Sequence, residues 1–450
     1  MSSMKLKEIA HKGKGKIIGA TSDSKIKGFS IDTRSIKEGN LFIALKGPYQ
    51  DGHKFIKEAE KKGASALVVE KAISSEIPCI VVKDTYEFLE NVALENRNKF
   101  KGKLVSLTGS NGKTTTKEFI YSLISSEGKC HKTEGNKNNQ IGVPLTLCSL
   151  EEGYDFSVVE IGTSAFGEID YLSKLVEPHI ALITNAGPSH LKELGSLEKV
   201  ANEKGSILDH IADNGIAVLP RDSIFYEEWN ERAGSKKVIS FGFDNNSDLI
   251  LKNVKTKVSR YFISFTLNYF GGRLECQMPG IGIHNAINAC SALAVCLALE
   301  IDLKKIYSNL RKVNYPERRL NTHKGINNSL IIDDSYNANP ESMKRSLDVL
   351  KPLTNKKRIF VAGQMGELGT KEKLFHEEIC EYAKGKVEEF LCVGKNWKDV
   401  ETKLPKVGKY FDTKDELLKY LKDKINSESV ILVKGSRSAG MDFVSDKLKV

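Results

Sequence analysis

Residues Val105–Thr116 read Val-Ser-Leu-Thr-Gly-Ser-Asn-Gly-Lys-Thr-Thr-Thr. An apolar strand over Lys103–Leu107 runs into a glycine turn, and the turn delivers Lys113 and Thr114 to the start of a helix expected over Thr115–Ser126. This arrangement suits the phosphates of a nucleoside triphosphate. Glycines let the backbone approach the anion, N–H groups at the helix start point at it, and the lysine adds a point charge. A hydroxyl after the lysine can ligate Mg²⁺. Leu107 stands where G-x-x-x-x-G-K-[ST] has its first glycine, so the signature is the shorter T-G-S-N-G-K-T-T. A plain Gly-Lys turn before an ordinary helix is the weaker reading, because strand and helix flank the loop in the right order.

Outward from this loop the chain reads as three blocks, 1–98, 99–313 and 314–450. The first has short apolar strands (Phe29–Ile31, Leu41–Leu45, Ala66–Val69, Cys79–Val82) and a helix at His53–Lys62. The second continues with buried-type strands at Phe156–Ile161, His179–Thr184 and Ile216–Leu219 and helices between them, the rhythm of a parallel sheet. It adds a polar, alternating stretch at Leu249–Gln277, expected to be antiparallel, and a long apolar helix at Asn285–Leu299. The third has strands at Ser329–Asp333, Arg358–Ala362, Glu389–Val393 and Val430–Val433, a smaller doubly wound pattern. The expectation is an α/β protein of three domains, with a central P-loop ATPase parallel-sheet domain and a C-terminal Rossmann-like domain.

Composition narrows the class. The 450 residues are 40% hydrophobic and 28% charged, as in ordinary globular chains. No apolar run approaches the roughly 20 residues that span a bilayer. The lysine-rich start has no apolar core, so no signal peptide is expected. Eight cysteines without a C-x-x-C read as reduced thiols of a cytoplasmic protein. The net charge of +10 is spread among acids along the chain, which favours a solvated surface over a nucleic-acid partner.

Several motifs carry chemistry. Glu160 ends a buried strand, at the edge where open α/β sheets bind ligands; it suits Mg²⁺ or is a solvated strand end. His190 follows Thr184-Asn185-Ala186-Gly187-Pro188-Ser189 at the same edge, where a loop histidine is more often merely exposed. Lys204 lies in a helix over Leu197–Asp209, where a solvated face is the ordinary reading. The amide-rich loop Asn136–Gly142 suits a polar ligand or is a turn. Asn285 and Asn288 share one helix face, or Asn285 is an N-cap. Arg318 and Arg319 follow Tyr315-Pro316-Glu317 and suit phosphate. Asp333 and Asp334 end a strand and suit ribose hydroxyls or a helix cap.

Taken in order, T-G-S-N-G-K-T-T, E-I-G, T-N-A-G-P-S-H, G-I-H-N-A-I-N and D-D-S-Y-N-A-N-P resemble the Mur ligases of peptidoglycan synthesis. Four segments place the resemblance in the branch that adds D-alanyl-D-alanine to UDP-N-acetylmuramoyl-tripeptide: the sixteen residues from Asp32, the eight from Asp333, M-G-E-L-G from Met365 and V-K-G-S-R-S-A-G-M from Val433. Gln364 and Ala439 depart from the usual Asp and Met of these segments. The resemblance implies a uridine-nucleotide domain, an ATPase domain and a Rossmann-like domain, acting as a monomer in the cytoplasm with ATP and Mg²⁺. It implies amide ligation through an acyl phosphate, with Lys113, Lys204 and Arg319 as catalytic residues. Gly109, Asn111, Gly112, Lys113, Thr114 and Thr115 would cradle ATP, with Asn285 and Asn288 near adenine, Arg319 near phosphate and Asp334 near ribose. Thr114, Glu160, His190 and a carbamylated Lys204 would serve Mg²⁺. Thr33, Arg34, Lys46, Gly47, Asp51, His53, Asn138, Asn139, Tyr336 and Asn337 would meet the substrates. Two rivals are a sister ligase, disfavoured by the absence of D-N-P-R, and a nucleotide-switched binding protein.

Overall fold

The computed structural model describes residues 4–19, 24–48 and 50–450. These fall into two compact units. One comprises residues 1–106, 128–162 and 171–178; the other comprises 107–127, 163–170 and 179–450.

The first unit is built on a five-stranded sheet in the order Lys16–Ile18, Cys79–Val81, Ala66–Val69, Asn40–Ile43, Gly28–Ser30. The last four strands run parallel and the edge strand Lys16–Ile18 antiparallel. Ala66–Val69 is buried along its whole length, which is why it reads as an unbroken apolar run and not as an alternating one. Phe42, Leu67 and Val69 pack on Ile56 and Ala59 of the helix Ile56–Lys61, which continues from a 3₁₀ turn at Gly52–Phe55. The helix Thr85–Lys99 starts on Asp84, whose carboxylate accepts from the Tyr86 and Glu87 amides. Parallel strands Cys130–Lys132 and Phe156–Glu160 complete this unit, with the start of Lys103–Thr108.

In the second unit, the end of Lys103–Thr108 hands the chain to the helix Lys113–Ile124. Strands Ile180–Ile183, Ile216–Pro220, Lys237–Gly242 and Leu249–Lys257 run parallel. Phe262–Tyr269 and Gly272–Pro279 then extend the sheet antiparallel. The expected antiparallel stretch is therefore present, although its first strand joins the sheet in parallel. The apolar helix Ile283–Ala298 is buried over most of its length.

The same unit holds a six-stranded sheet in the order Asn321–Lys324, Leu330–Asp334, Ser429–Lys434, Lys357–Gly363, Glu389–Val393, Gly408–Phe411. Only Asn321–Lys324 is antiparallel. Alternate side chains serve opposite faces. Ile332, Phe360, Phe390 and Leu432 pack on Met343, Leu347 and Ile379, whereas Ile331, Val361, Leu391 and Ile431 pack on Leu417, Leu421 and Val444. This is the doubly wound α/β sheet that the sequence predicts. The last strand, Ser429–Lys434, inserts between Leu330–Asp334 and Lys357–Gly363, so the strand order reverses there. Such a reversal opens a crevice at the carboxyl ends of the strands, here at Asp334, Lys434 and Gly363.

Candidate active site

The phosphate loop is shaped by the strand beside it. Gly109 has φ +151°, and a Cβ there would lie 1.9 Å from the Thr184 hydroxyl. Gly112 has φ +81°, and a Cβ there would lie 2.5 Å from the Asn288 amide oxygen. Only glycine fits both positions. The Asn185 side chain grips the loop at Asn111, accepting from its N–H (2.9 Å) and donating to its C=O (2.9 Å). Lys113 Nζ donates to the Gly109 carbonyl at 2.6 Å, arching over the loop. Thr114 and Thr115 lie buried at the helix start.

Arg319 reaches this loop from the head of the C-terminal sheet. Its Nη2 donates to the Thr114 hydroxyl at 3.2 Å, and its guanidinium lies 4.2 Å from the Tyr336 ring centre. The buried Arg319 Nε has no hydrogen-bond partner among the described residues. A buried N–H without an acceptor is costly, so this one fits an arriving phosphate oxygen. Asn285 and Asn288 are buried, and Asn288 Nδ2 donates to Asn285 Oδ1. Asn285 is not an N-cap: Gly282 holds that position, and the Asn285 side-chain amide donates back to the Ile281 carbonyl.

Lys204 is 1% exposed, which overturns the solvated-face reading. Burial drives its pKa well down, the charge of Lys113 acts in the same sense, and Glu203 opposes. Glu203 itself accepts from the Gly167 and Ile169 amides and so is spent on a helix start. Burial of this kind shifts a lysine toward its neutral, nucleophilic amine. His190 Nδ1 stands 2.8 Å from Glu367 Oε2 of the M-G-E-L-G segment. The His190 contact holds the Glu367 carboxyl below its ordinary value against burial. Both residues have positive φ, 51° and 61°, strain of the kind that gathers at functional loops. Glu367, Asn185 and Asn339 lie inside motifs that the sequence shows but receive no individual role from it, because single polar side chains in loops carry no periodic signal.

Asp334 is already engaged. Its Oδ2 accepts from Lys434 Nζ (2.6 Å) and Ser346 Oγ (2.8 Å), and Lys434 also donates to the Asn337 carbonyl. The Arg319 and Arg437 guanidinium groups lie 4.2 and 5.9 Å from the Tyr336 ring centre, and the Asn337 side chain accepts from the Ala338 amide. His284 is pushed down to about 3 by burial and by the charges of Arg345 and Lys434. Each of those cations has a carboxylate partner, Arg345 with Glu341 and Lys434 with Asp334, so the crevice carries paired charges of both signs.

The remaining candidates lie in the first unit. Glu160 is 1% exposed, so it is no solvated strand end; Asn138 Nδ2 donates to its Oε1 at 2.7 Å and Thr133 Oγ1 accepts from its amide. Asn139 accepts from the Ile141 and Gly142 amides, forming the turn before the helix Gly142–Cys148. Asp51 Oδ1 meets His53 Nδ1 at 2.8 Å, and His53 Nε2 accepts from the Glu70 amide. That pairing fixes the ring as the Nδ1–H tautomer. The loop between is closed by the Lys46–Asp51 bridge and by the Gly47 amide on the Gln50 carbonyl. Thr33 is buried, whereas Arg34 is exposed on Asp32 in a bidentate pair. The expected metal set is thus divided, with Glu160 in one unit and Thr114, His190 and Lys204 in the other. Among the described residues no group of three or more His, Cys, Asp or Glu gathers to hold a metal.

Comparison with known proteins identifies the family. The Mur ligase catalytic-domain model matches residues 25–106, the Mur ligase middle-domain model 107–296, and the Mur ligase glutamate ligase domain model 318–437. The UDP-N-acetylmuramoyl-tripeptide–D-alanyl-D-alanine ligase of Escherichia coli K12 is 36% identical over 448 residues, covering 99% of this chain and 98% of that protein. The Bacillus subtilis 168 protein of the same name is 32% identical over 98% of this chain and 97% of its own length. A crystal structure of MurF from Acinetobacter baumannii superposes with a TM-score of 0.90 at 32% identity over 99% of both chains. MurF ligase from Thermotoga maritima in complex with ADP superposes at 0.80 with 28% identity, over 93% of this chain and 96% of that one. The chain belongs to the Mur ligase family.

Proposed function

We infer that this protein is the ATP-dependent ligase that joins D-alanyl-D-alanine to UDP-N-acetylmuramoyl-tripeptide in peptidoglycan precursor synthesis. The observation that carries the inference is the near full-length identity of 36% to a ligase of that name. In the reaction a carboxylate oxygen of the tripeptide attacks the γ-phosphorus of ATP, and ADP leaves. The amine of D-alanyl-D-alanine then attacks the acyl phosphate; inorganic phosphate departs and a proton is lost from nitrogen. This chemistry needs positioning and charge neutralisation more than a protein nucleophile.

The roles follow from the chemistry of each position. Lys113 serves the β- and γ-phosphates from the loop Gly109–Thr115, and Arg319 supplies a planar fork to the transferring phosphoryl group. Asn285 and Asn288 serve adenine. Tyr336, Asn337 and Asp334 line the crevice for nucleotide and acceptor. Thr33, Arg34, Lys46, Gly47, Asp51 and His53 serve the uridine nucleotide, His53 by holding its loop, and Asn138 and Asn139 the peptide side. Thr114, Glu160, His190 and Lys204 are the residues for Mg²⁺, which supplies charge neutralisation at the phosphates. Lys204 would join that set once its neutral amine adds CO₂, forming the N–C bond and releasing the nitrogen's proton to solvent, to give a carbamate, an acceptor anion in place of a cation. The domain division that suits these roles is 1–98, 99–313 and 314–450, acting as a cytoplasmic monomer without nucleic acid; no helix among the described residues is long and apolar enough to cross a membrane.

The test is ADP release with each UDP-muramoyl peptide against a panel of amino acids and dipeptides. Release that requires both the tripeptide nucleotide and D-alanyl-D-alanine is expected. Release independent of either would instead favour a nucleotide-switched binding protein.

A further inference from the structure

The phosphate loop carries a negative charge on its flank that ATP chemistry does not call for. Glu341 opens the helix Pro340–Leu350, and its Oε2 accepts from Asn111 Nδ2 at 3.2 Å. The same carboxylate oxygen faces Gly187, where an added Cβ would lie 2.2 Å from it. Asn339, the cap of this helix, donates from Nδ2 to Asn111 Oδ1 at 2.9 Å. The Asn111 side chain is thus held at both ends by the C-terminal sheet's first helix, while its backbone is held by Asn185. Arg345, one turn on, pairs with the other Glu341 oxygen. Asn339 alone accounts for a mechanical tether, so the carboxylate is an additional feature.

We propose that Glu341 is a positioning residue that sets the affinity of the loop for nucleotide phosphates. Its carboxylate ties helix Pro340–Leu350 to Asn111 and at the same time opposes the anion that seats on Gly109–Thr114. Phosphate binding works against this charge, and ADP leaves the more readily for it. The effect scales with the charge on the nucleotide, because like-charge repulsion acts on each phosphate within reach and fades with salt. The proposal rests on the reading that nucleotide phosphates occupy this loop.

The experiment is calorimetric titration of AMP, ADP and ATP into the full chain and into Glu341→Gln, at low and high salt. Glutamine keeps the length and an acceptor toward Asn111 but also frees the Arg345 guanidinium, so the double variant Glu341→Gln/Arg345→Gln is titrated alongside, and a gain that disappears in it overturns the proposal. ADP and ATP are expected to bind about three- to tenfold tighter to Glu341→Gln at low salt, AMP less than about twofold tighter, and the gain is expected to shrink at high salt. Unchanged ADP affinity, weaker ADP affinity or an equal change for AMP overturns the proposal. Lys113→Ala separates the two readings. ADP binding that survives Lys113→Ala overturns the loop assignment and this proposal with it, whereas loss in Lys113→Ala with no change in Glu341→Gln overturns the proposal alone.

Discussion

Lys113 and Lys204 sit close enough that each charge disfavours the other, and Lys204 is the buried one. The arrangement makes sense when one lysine stays cationic for phosphate and the other becomes an anion. Lys113→Ala is expected to lower ADP formation by about 10³-fold or more with an unchanged circular dichroism spectrum, since a positioned cation acts where transition-state charge develops. Near wild-type turnover would remove it from the mechanism. Lys204→Ala is expected to lose most activity and to regain part of it with acetate or another short carboxylate, and bicarbonate depletion is expected to slow the wild type. Full activity in bicarbonate-free buffer would count against carbamylation. The low pKa favours the modification, because only the neutral amine adds CO₂.

At the scale of elements, the glycine loop and the C-terminal edge of the six-stranded sheet are the sensitive joints. Gly109→Ala places a methyl on Thr184 and forces a disfavoured φ, so phosphate binding is expected to fail even where the chain still folds. Titration with ADP checks this. Asp333 ends its strand with a side chain 1% exposed, paired to Lys449 at 2.7 Å. Burial opposes its ionisation, but hydrogen bonds from Lys449 and Ser335 prevail and hold its carboxyl below the ordinary aspartate value. The pair's contribution is therefore complete above the unfolded carboxylate value and is lost as pH falls through the folded one. Lys449→Ala leaves a buried carboxylate with Arg318 at 4.0 Å as its remaining cation. A loss of about 3 kcal/mol at pH 7 is expected, at the low end for a broken buried pair because of that second cation. The deficit narrows toward pH 3 as Asp333 protonates, and urea melts at both values measure it. A deficit independent of pH would show that Lys449 acts through packing alone.

At the scale of the molecule, the residues proposed for the nucleotide and for the uridine substrate fall in different compact units. The loop Gly109–Thr115, Asn285, Asn288 and Arg319 belong to one, and the loops around Thr33, Lys46 and His53 to the other. Ligand stabilises only what it binds, by about 2.7 kcal/mol at a hundredfold excess over Kd. Scanning calorimetry is expected to resolve two transitions, with ADP raising one by about 2–4 °C and the UDP-tripeptide raising the other. A single transition, or equal shifts of both with ADP alone, would mean that the units unfold as one.

The sequence by itself determined the strand–loop–helix of Lys103–Ile124, the parallel α/β character and the ligase family. Each rests on local chemistry: a glycine turn has few conformations, and fully buried strands must be apolar throughout. It did not determine the strands Lys237–Gly242 and Gly408–Phe411, which carry fewer apolar residues and form because of the neighbours they pair with. Nor could it choose between bland and functional readings of single polar residues. Glu160 and Lys204 are buried, Asn285 is not a cap, and Asp334 is tied to Lys434 across 100 residues of chain. Those outcomes depend on which segments the topology brings together, and burial and pairing energies exist only once they meet. Arg319 on Thr114, 205 residues apart, is the plainest case: two motifs legible singly, joined only by the tertiary structure.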